Sequence, residues 1–450
     1  MSAAPGNPFE ALSIEEYGAR LRRGELSASR VTEAYLQRIE AFNAKLGAYT
    51  FVASEQARAD ATRMDALLRS GNDLGPLMGV PVAVKDLYHV EGMPLAAGSR
   101  LDVSGIVRAE GPVVQALKRS GAIILGKTWT SEFALGGINF IQRVPWNPCD
   151  PEVHRTPGGS SGGSAVAMAA GLCAFALGTD TGGSVRLPAA LCGVVGHKFS
   201  ARAFSLEGIF PLSPTLDSPG VFTRTAADAV TVWQALKGGD LSAPLPLAGL
   251  RFATPQPLFY EALDSEVARA MDDALTRLAR AGAVVTPLET PEVSEFEAIF
   301  GRIVPVELIE ILGRDRVREK FEVLDPVTQA RFSAVLDAPA GDSHRVETDL
   351  AALRERVHRR AKAIDAWITP TTPLVAGPLA EYATVASALA WNRRALRNTR
   401  PGNVFDQCGI SLPLPSTRLP VGLQILCRSG EDAKLLAIAR AVEAALNSPE

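Results

Sequence analysis

Residues 156–171 read TPGGSSGGSAVAMAAG, and residues 177–196, a few positions later, read LGTDTGGSVRLPAALCGVVG. Each segment places a serine directly after paired glycines. Glycine adopts backbone conformations that other residues avoid, so such turns can aim successive amide groups into one concavity. The apolar run from Ser164 to Ala170 predicts a buried helix whose positive N-terminus faces these glycine loops.

Phosphate-binding loops are the alternative explanation for glycine-rich turns. They require a glycine, four intervening residues and then Gly-Lys-Ser/Thr, and dinucleotide sites require GxGxxG. Neither spacing occurs in the two segments. Gly126-Lys127-Thr128 does carry the last three letters of a phosphate loop, but the apolar residues 122–125 before it predict a buried strand. We interpret that match as accidental.

A serine hydroxyl needs a neighbouring base to act as a nucleophile, and backbone amides can stabilise the oxyanion that its attack creates. The chain offers a lysine for the first task. Lys85 ends the apolar segment GVPVAVKD at 79–86, which predicts a buried strand that delivers the lysine inward. Burial disfavours the ammonium form, so the lysine can serve as a neutral base.

These segments resemble the signature region of the amidase signature family of serine hydrolases. The resemblance implies that Ser184 is the nucleophile, that Ser160 is an intermediate serine held by a cis peptide bond, and that Lys85 is the base. The oxyanion hole is expected from backbone amides of the TGGS turn: Thr181, Gly182, Gly183 and Ser184. Residues expected to fix the orientation of the catalytic groups are Ser161, Asp180 and Arg186.

The resemblance covers nearly the whole chain. Further matching segments are GAIILGKTWTSEF at 121–133, LDSPG at 216–220, TRT at 223–225, TRPGN at 399–403 and LPVGLQ at 419–424. The implied fold is α/β, with a large mixed, twisted sheet covered by helices on both faces. Two segments depart from the family pattern: 196–200 reads GHKFS where members commonly read GLKPT, and 406–408 reads DQC in place of a GxP segment. These departures argue against close kinship to the amidotransferase A-type protein that works on glutamyl-tRNA.

Composition fits a large enzyme without a polyanionic partner. The chain has 450 residues, of which 47% are hydrophobic and 21% are charged, so it can bury a substantial core. A net charge of −3 gives no field that would attract nucleic acid. We find no signal peptide and no membrane span, and the 5 scattered cysteines are typical of reduced thiols in a cytoplasmic protein.

The histidines do not indicate a metal centre. His89, His154 and His197 lack the spacing of zinc ligands, and we predict no metal and no cofactor. His154 and Arg155 are expected to be solvated loop residues, with a place at the site entrance as the alternative. The aromatic residues that flank the signature are expected to belong to the core, with lining of an acyl pocket as the alternative: Trp129, Phe133, Phe140 and Trp146.

We predict one catalytic domain spanning residues 1–450. Its parts are an N-terminal helical layer at 1–75, a signature core at 76–237 and a C-terminal part at 238–450 with a variable helical cover at 287–358. Ser13 and Glu16 form a capping-box pattern at the start of the first helix. Residues 238–249 are the clearest internal linker, and the amphipathic faces of the helical layer leave a homodimer possible.

The predicted function is an amidohydrolase that cleaves the C–N bond of a small-molecule carboxamide through an acyl-enzyme on Ser184. Ester and carbamate (urethane) substrates are implied as well, because the relay only has to protonate the leaving heteroatom. The alternative is a glutamine-dependent amidotransferase A-type subunit that works in a complex. A non-catalytic binding protein is a third hypothesis, which the presence of Lys85, Ser160 and Ser184 disfavours.

Overall fold

The computed structural model describes residues 7, 12–239, 241, 245–337, 343–415 and 417–448. Its helices are α1 Ile14–Arg22, α2 Ala28–Leu46, α3 Ser54–Arg69, α4 Pro112–Arg119, α5 Gly162–Ala169, α6 Arg186–Cys192, α7 Ala226–Lys237, α8 Ser265–Arg280, α9 Phe296–Leu312, α10 Arg314–Glu319, α11 Pro326–Ser333, α12 Ser343–Arg360, α13 Val385–Ala395, α14 Arg400–Val404 and α15 Asp432–Asn447. Its strands are β1 Tyr49–Val52, β2 Pro81–Lys85, β3 Ile123–Thr128, β4 Phe175–Asp180, β5 Val195–Lys198, β6 Ser218–Thr223, β7 Arg251–Gln256, β8 Val284–Glu289, β9 Ala366–Pro370, β10 Gln407–Pro413 and β11 Gly422–Arg428.

The strands form one 11-stranded mixed sheet in the order β1-β3-β2-β4-β6-β5-β10-β11-β9-β7-β8. The first six strands of the chain occupy one side of this sheet. The late strands β10 and β11 lie in the middle, where β10 pairs antiparallel with β5. The predicted mixed sheet of an α/β protein is therefore confirmed. The middle of the sheet contains strands from the last part of the chain.

The local patterns in the sequence correspond to the observed elements. Ser13 caps α1, where its hydroxyl accepts a hydrogen bond from the amide of Glu16 at 3.1 Å. The predicted buried helix begins at Gly162, directly after the first serine pair. The Gly126-Lys127-Thr128 match lies inside buried strand β3, so it is not a phosphate loop. The predicted linker at 238–249 and the N-terminal segment fall partly outside the described residues.

Parallel pairing brings the ends of three strands to one edge of the sheet. β2 pairs in parallel with both β3 and β4. Lys85 is the last residue of β2 and Asp180 is the last residue of β4, so both lie at this edge. Ligands of open α/β sheets bind beyond the carboxyl ends of the strands, and the TGGS turn starts there.

The predicted cover at 287–358 is largely helical and includes α9, α10, α11 and α12. It contacts loops of the signature core directly. Glu307 of α9 accepts hydrogen bonds from the hydroxyls of Ser213 and Thr215. A side chain at Gly182 would lie 2.8 Å from the ring of Phe300, so α9 closes over the TGGS turn. Across the described part of the chain, we find no helix that combines the length and the apolar character required of a membrane span.

Candidate active site

The ammonium group of Lys85 lies in a fully buried position at the end of β2. Its Nζ is 2.7 Å from Oγ of Ser160 and 2.8 Å from Oγ1 of Thr179. Burial lowers the pKa of Lys85 to about 7, although the charges of Asp217 and Asp180 act in the opposite direction. A substantial fraction of this amine is therefore unprotonated at neutral pH and can act as a base.

Lys127, on the neighbouring strand β3, is a second buried lysine whose contacts differ from those of Lys85. It is equally buried, but its Nζ makes an ion pair with Asp86 at 2.8 Å and donates to the carbonyl of Pro94 at 2.9 Å. Lys85 instead contacts two neutral hydroxyls. Two buried lysines at the same sheet edge thus have different roles: Lys127 has a charged partner, whereas Lys85 is placed to exchange protons with a hydroxyl.

The Ser160 loop is held against the end of β4 by its neighbour Ser161. The Ser161 hydroxyl donates to the carbonyl of Thr179 at 3.2 Å and accepts from the amide of the same residue at 3.3 Å. The Ser161 amide donates to the carbonyl oxygen of Ser184 at 3.3 Å, which brings the two serine loops together. The peptide bond between Gly159 and Ser160 is cis, as the resemblance implies.

The TGGS turn is organised by the carboxylate of Asp180. It accepts hydrogen bonds from the amides of Gly183 at 2.8 Å and Val185 at 3.1 Å. Gly183 has a φ of +122°, and a side chain there would lie 1.9 Å from Oγ1 of Thr399, so only glycine fits. The Gly183 amide already has Asp180 as its acceptor. The predicted oxyanion hole formed by amides of Thr181, Gly182, Gly183 and Ser184 stays a prediction.

A buried polar network fixes Asp180 itself. Arg186 donates to both carboxylate oxygens of Asp180, at 3.1 Å from Nε and 2.9 Å from Nη2. Its other contacts are Gln424 at 2.8 Å and Asn403 at 2.7 Å. Burial alone would raise the pKa of Asp180, but the charge and hydrogen bonds of Arg186 hold that pKa well below its usual range. Asp180 is thus an ionised anchor for the turn and not a proton donor.

Asp217 supports the other end of the same turn. It accepts a hydrogen bond from the Thr181 hydroxyl and others from the amides of Leu212 and Ser213, at 2.9 and 3.0 Å. Burial raises the pKa of Asp217 to about 6. A cavity of about 920 Å³ lies beside this residue, between the 201–206 loop and α12.

The two polar residues that precede the signature lie away from this cluster. His154 stacks on Trp146 with ring centroids 4.6 Å apart. Arg155 pairs with Asp150 at 2.8 Å. Both lie in the loop before the signature, as predicted, but they are only partly exposed and therefore not fully solvated.

The flanking aromatic residues divide between core and surface. Trp129 packs on Gly162 and Phe133 stacks on Phe210, which places both in the core as expected. Phe140 is 39% exposed, so the expectation that it belongs to the core is wrong. The physical reason is that its backbone amide is tied to Asp325 at 2.6 Å in a surface loop, where the ring remains in contact with solvent.

Sequence analysis missed several residues that contact the cluster. Thr179 contacts Lys85, Thr399 donates to the carbonyl of Gly182 at 2.8 Å, and Asn403 donates to Oδ1 of Asp180 at 2.9 Å. Asn403 and Gln424 lie in segments that match the family, and that match is the only signal that could have found them. Nothing in the local pattern indicates Thr179, since a threonine inside a buried strand is ordinary.

Comparison with known proteins agrees with this architecture. A family model described as Amidase matches residues 30–436. The chain is 39% identical to 2-amino-5-chloromuconic acid deaminase from Comamonas testosteroni, and 35% identical to the A component of glutamyl-tRNA(Gln) amidotransferase from Myxococcus xanthus, in each case over 96% of both chains. A crystal structure of an amidase superposes with a TM-score of 0.88 at 32% identity, covering 97% of this chain and 100% of the other.

Proposed function

The chain belongs to the amidase family of hydrolases acting on C–N bonds, and we propose that it cleaves a small-molecule carboxamide through an acyl-enzyme on Ser184. One observation carries this proposal. The buried amine of Lys85 lies 2.7 Å from Oγ of Ser160, and the backbone amide of the next residue, Ser161, donates to the backbone carbonyl of Ser184. These contacts support the assignment of Lys85 as base, Ser160 as intermediate hydroxyl and Ser184 as nucleophile.

In the proposed reaction, Oγ of Ser184 forms a bond to the substrate carbonyl carbon. The Ser184 proton passes to Ser160, and the Ser160 proton passes to neutral Lys85. Negative charge develops on the carbonyl oxygen, where backbone amides of the TGGS turn donate to it. When the C–N bond breaks, the proton returns from Lys85 through Ser160 to the leaving nitrogen, and water then hydrolyses the acyl-enzyme by the same relay.

The relay discriminates weakly between leaving groups, because an ester oxygen or a carbamate nitrogen can accept the same proton. Ester and carbamate hydrolysis are therefore included in the proposal. The choice among them depends on the pocket that receives the acyl group. The helical cover, which contacts the TGGS turn through Phe300, is placed to shape that pocket.

The names of two similar proteins imply different uses of the nitrogen that the reaction releases. One is named as a deaminase and the other as a component of an amidotransferase. A deaminase-like or amidase-like protein would be active as a purified single chain. A component of an amidotransferase would need its partner chains and would hydrolyse glutamine.

The test is hydrolysis by the purified single chain of aryl amides, a primary amide, an ester, an aryl carbamate and glutamine. We expect turnover of an amide or carbamate, and we expect Ser184→Ala to lower kcat by about 10³-fold or more because the nucleophile is lost. Ser448→Ala, at an exposed position after α15, is the matched control and retains full activity. Equal activity of Ser184→Ala and wild type would refute the proposal, whereas glutamine turnover only with added partner chains would favour the amidotransferase.

A further inference from the structure

The guanidinium of Arg331, on α11, has no hydrogen-bond or ion-pair partner among the described residues, and the residue is only partly exposed. Two carboxylates lie near this guanidinium, those of Asp325 and Glu297, and both form hydrogen bonds or ion pairs with other groups. Asp325 accepts from the amides of Phe140, Ile141 and Val327, at distances of 2.6 to 2.9 Å. Glu297 pairs with Arg400 at 2.6 Å. A partly buried cation whose donors have no protein acceptor is suited to binding an anion.

Arg331 faces a loop that packs directly on Gly159, the residue before Ser160. A methyl group at Gly136 would lie 3.2 Å from Nη2 of Arg331. The adjacent Gly137 is in contact with Gly159, since a methyl group on Gly159 would lie 2.8 Å from Cα of Gly137. The guanidinium is therefore separated from the Ser160 loop by a single layer of glycine backbone.

A second arginine, Arg400, contacts the catalytic turn and lies near Arg331. Arg400 is only 7% exposed, and its Cγ would lie 3.3 Å from a methyl group at Gly182. Its guanidinium stacks over the ring of Phe300 at 4.9 Å, and its buried Nε has no hydrogen-bond acceptor among the described residues. Burial, followed by the charge of Arg400, lowers the pKa of Arg331 to about 10, so both groups remain cationic at neutral pH while repelling each other.

We propose that Arg331 and Arg400 form a carboxylate-binding site beside the catalytic turn, so that the substrate is an acid whose carboxylate is distant from the scissile C–N bond. A carboxylate between two guanidinium groups satisfies their unused donors and relieves their repulsion. Arginine suits this role because its planar fork matches the two carboxylate oxygens. The inference rests on the proposed function, and it assigns that reaction a substrate class.

The site is held in place by contacts that do not involve the two cations. Asn392 of α13 accepts from the amide of Gly137 at 2.9 Å and donates to the carbonyl of Ala388 at 3.0 Å. Asp325 ties the start of α11 to the 140–141 loop. Removal of the Arg331 guanidinium should therefore leave the loop and the helix in position.

The experiment compares half-amides with diamides of the same chain length: succinamic, glutaramic and adipamic acids against succinamide, glutaramide and adipamide. Each pair differs only in a terminal carboxylate or carboxamide. We expect wild type to prefer at least one half-amide in kcat/KM by about tenfold or more, as charge-assisted pairing implies. Arg331→Met should reduce this preference at least about tenfold, mainly through KM, and Arg331→Lys should retain part of it.

A merely structural defect would lower the turnover of acid and diamide by the same factor, so the preference itself is the readout. Arg269→Met, on the exposed face of α8, is the matched control and should leave the preference unchanged. An unchanged preference in Arg331→Met, or a wild-type preference for the diamides, would overturn the inference.

Binding of adipate, glutarate and succinate to Ser184→Ala, measured by calorimetry, separates this inference from the proposed function. Binding that disappears when Arg331→Met is added supports the carboxylate site even if no amide in the panel is hydrolysed. Hydrolysis of neutral amides without any binding of these diacids and without half-amide preference would overturn the carboxylate site and leave the hydrolase proposal standing.

Discussion

Residue by residue, the proposed mechanism depends on the protonation state of one amine. Lys85 must be neutral to accept a proton from Ser160, and burial lowers its pKa to about 7. We therefore expect kcat/KM to fall about tenfold per pH unit below that value and to level off above it. The measurement is a kcat/KM profile on a neutral amide, which excludes titration of the substrate. A flat profile through the acid range would contradict the assignment of Lys85 as the base.

We expect Lys85 to lower the free energy of unfolding, because burial makes its pKa lower in the folded chain than in the unfolded chain. Between about pH 7 and 10.5 the unfolded chain binds a proton at this position that the folded chain does not, so stability contributed by this group rises with pH across that window. Lys85→Met should therefore be inactive but more stable than wild type at neutral pH. Its advantage should shrink by about 1.4 kcal/mol per pH unit as pH rises through the window.

Lys127→Met provides the matched comparison for this stability measurement. It leaves Asp86 buried without its partner, so we expect a loss of about 3–5 kcal/mol in the free energy of unfolding at neutral pH. Denaturant unfolding of both variants at several pH values is the test. If both lysine replacements destabilise the protein equally at neutral pH, the distinction between base and ion-pair partner is wrong.

At the scale of the elements, the turn that carries Ser184 depends on residues from four elements, two that flank the turn and two that are distant in sequence. Asp180 ends β4, Arg186 begins α6, Asn403 lies on α14 and Gln424 lies on β11. Arg186→Met would leave the Asp180 carboxylate buried and unpaired, which we expect to cost about 3–5 kcal/mol of stability and most of the activity. Thermal or denaturant unfolding measures the first effect. Arg58→Met removes the exposed pair with Glu33 and should leave the unfolding transition nearly unchanged. An equally small effect of Arg186→Met would contradict the proposed anchoring.

Sequence patterns predicted the elements well because their signals are local. The Ser13 cap, the apolar strand before Lys85 and the small-residue helix after the first serine pair each depend on a few neighbouring positions. The partners of the site are separated by long stretches of chain: Lys85 and Ser160 by 75 positions, and Arg186 and Gln424 by 238. Local periodicity carries no information about such pairs. The resemblance supplied the first pair, and only the folded structure supplied the second and the contact of Arg331 with Gly136.

On the scale of the whole molecule, the sheet argues for one folding unit, and we propose that residues 1–450 form a single domain. In the sheet, the strands from the first half of the chain lie side by side, and β5 is the last of this group. The neighbour of β5 is β10, which comes from the last tenth of the sequence. A division near residues 238–249 would therefore expose the edges of both β5 and β10. Exposed edges of long buried strands are unfavourable and prone to aggregation.

A cleavable sequence inserted after Gly238 tests this proposal. A side chain at Gly238 or Gly239 would meet nothing within 4 Å, so the uncleaved variant should fold and remain active. After cleavage we expect the two fragments to co-migrate at the native mass and to unfold in one transition, because β5 and β10 still pair. The same insertion after Gly430, where a side chain also meets nothing within 4 Å, is the control that releases only the α15 segment. Separation of the 238-site fragments into independently folded species, or two unfolding transitions in the uncleaved protein, would show two domains in place of one.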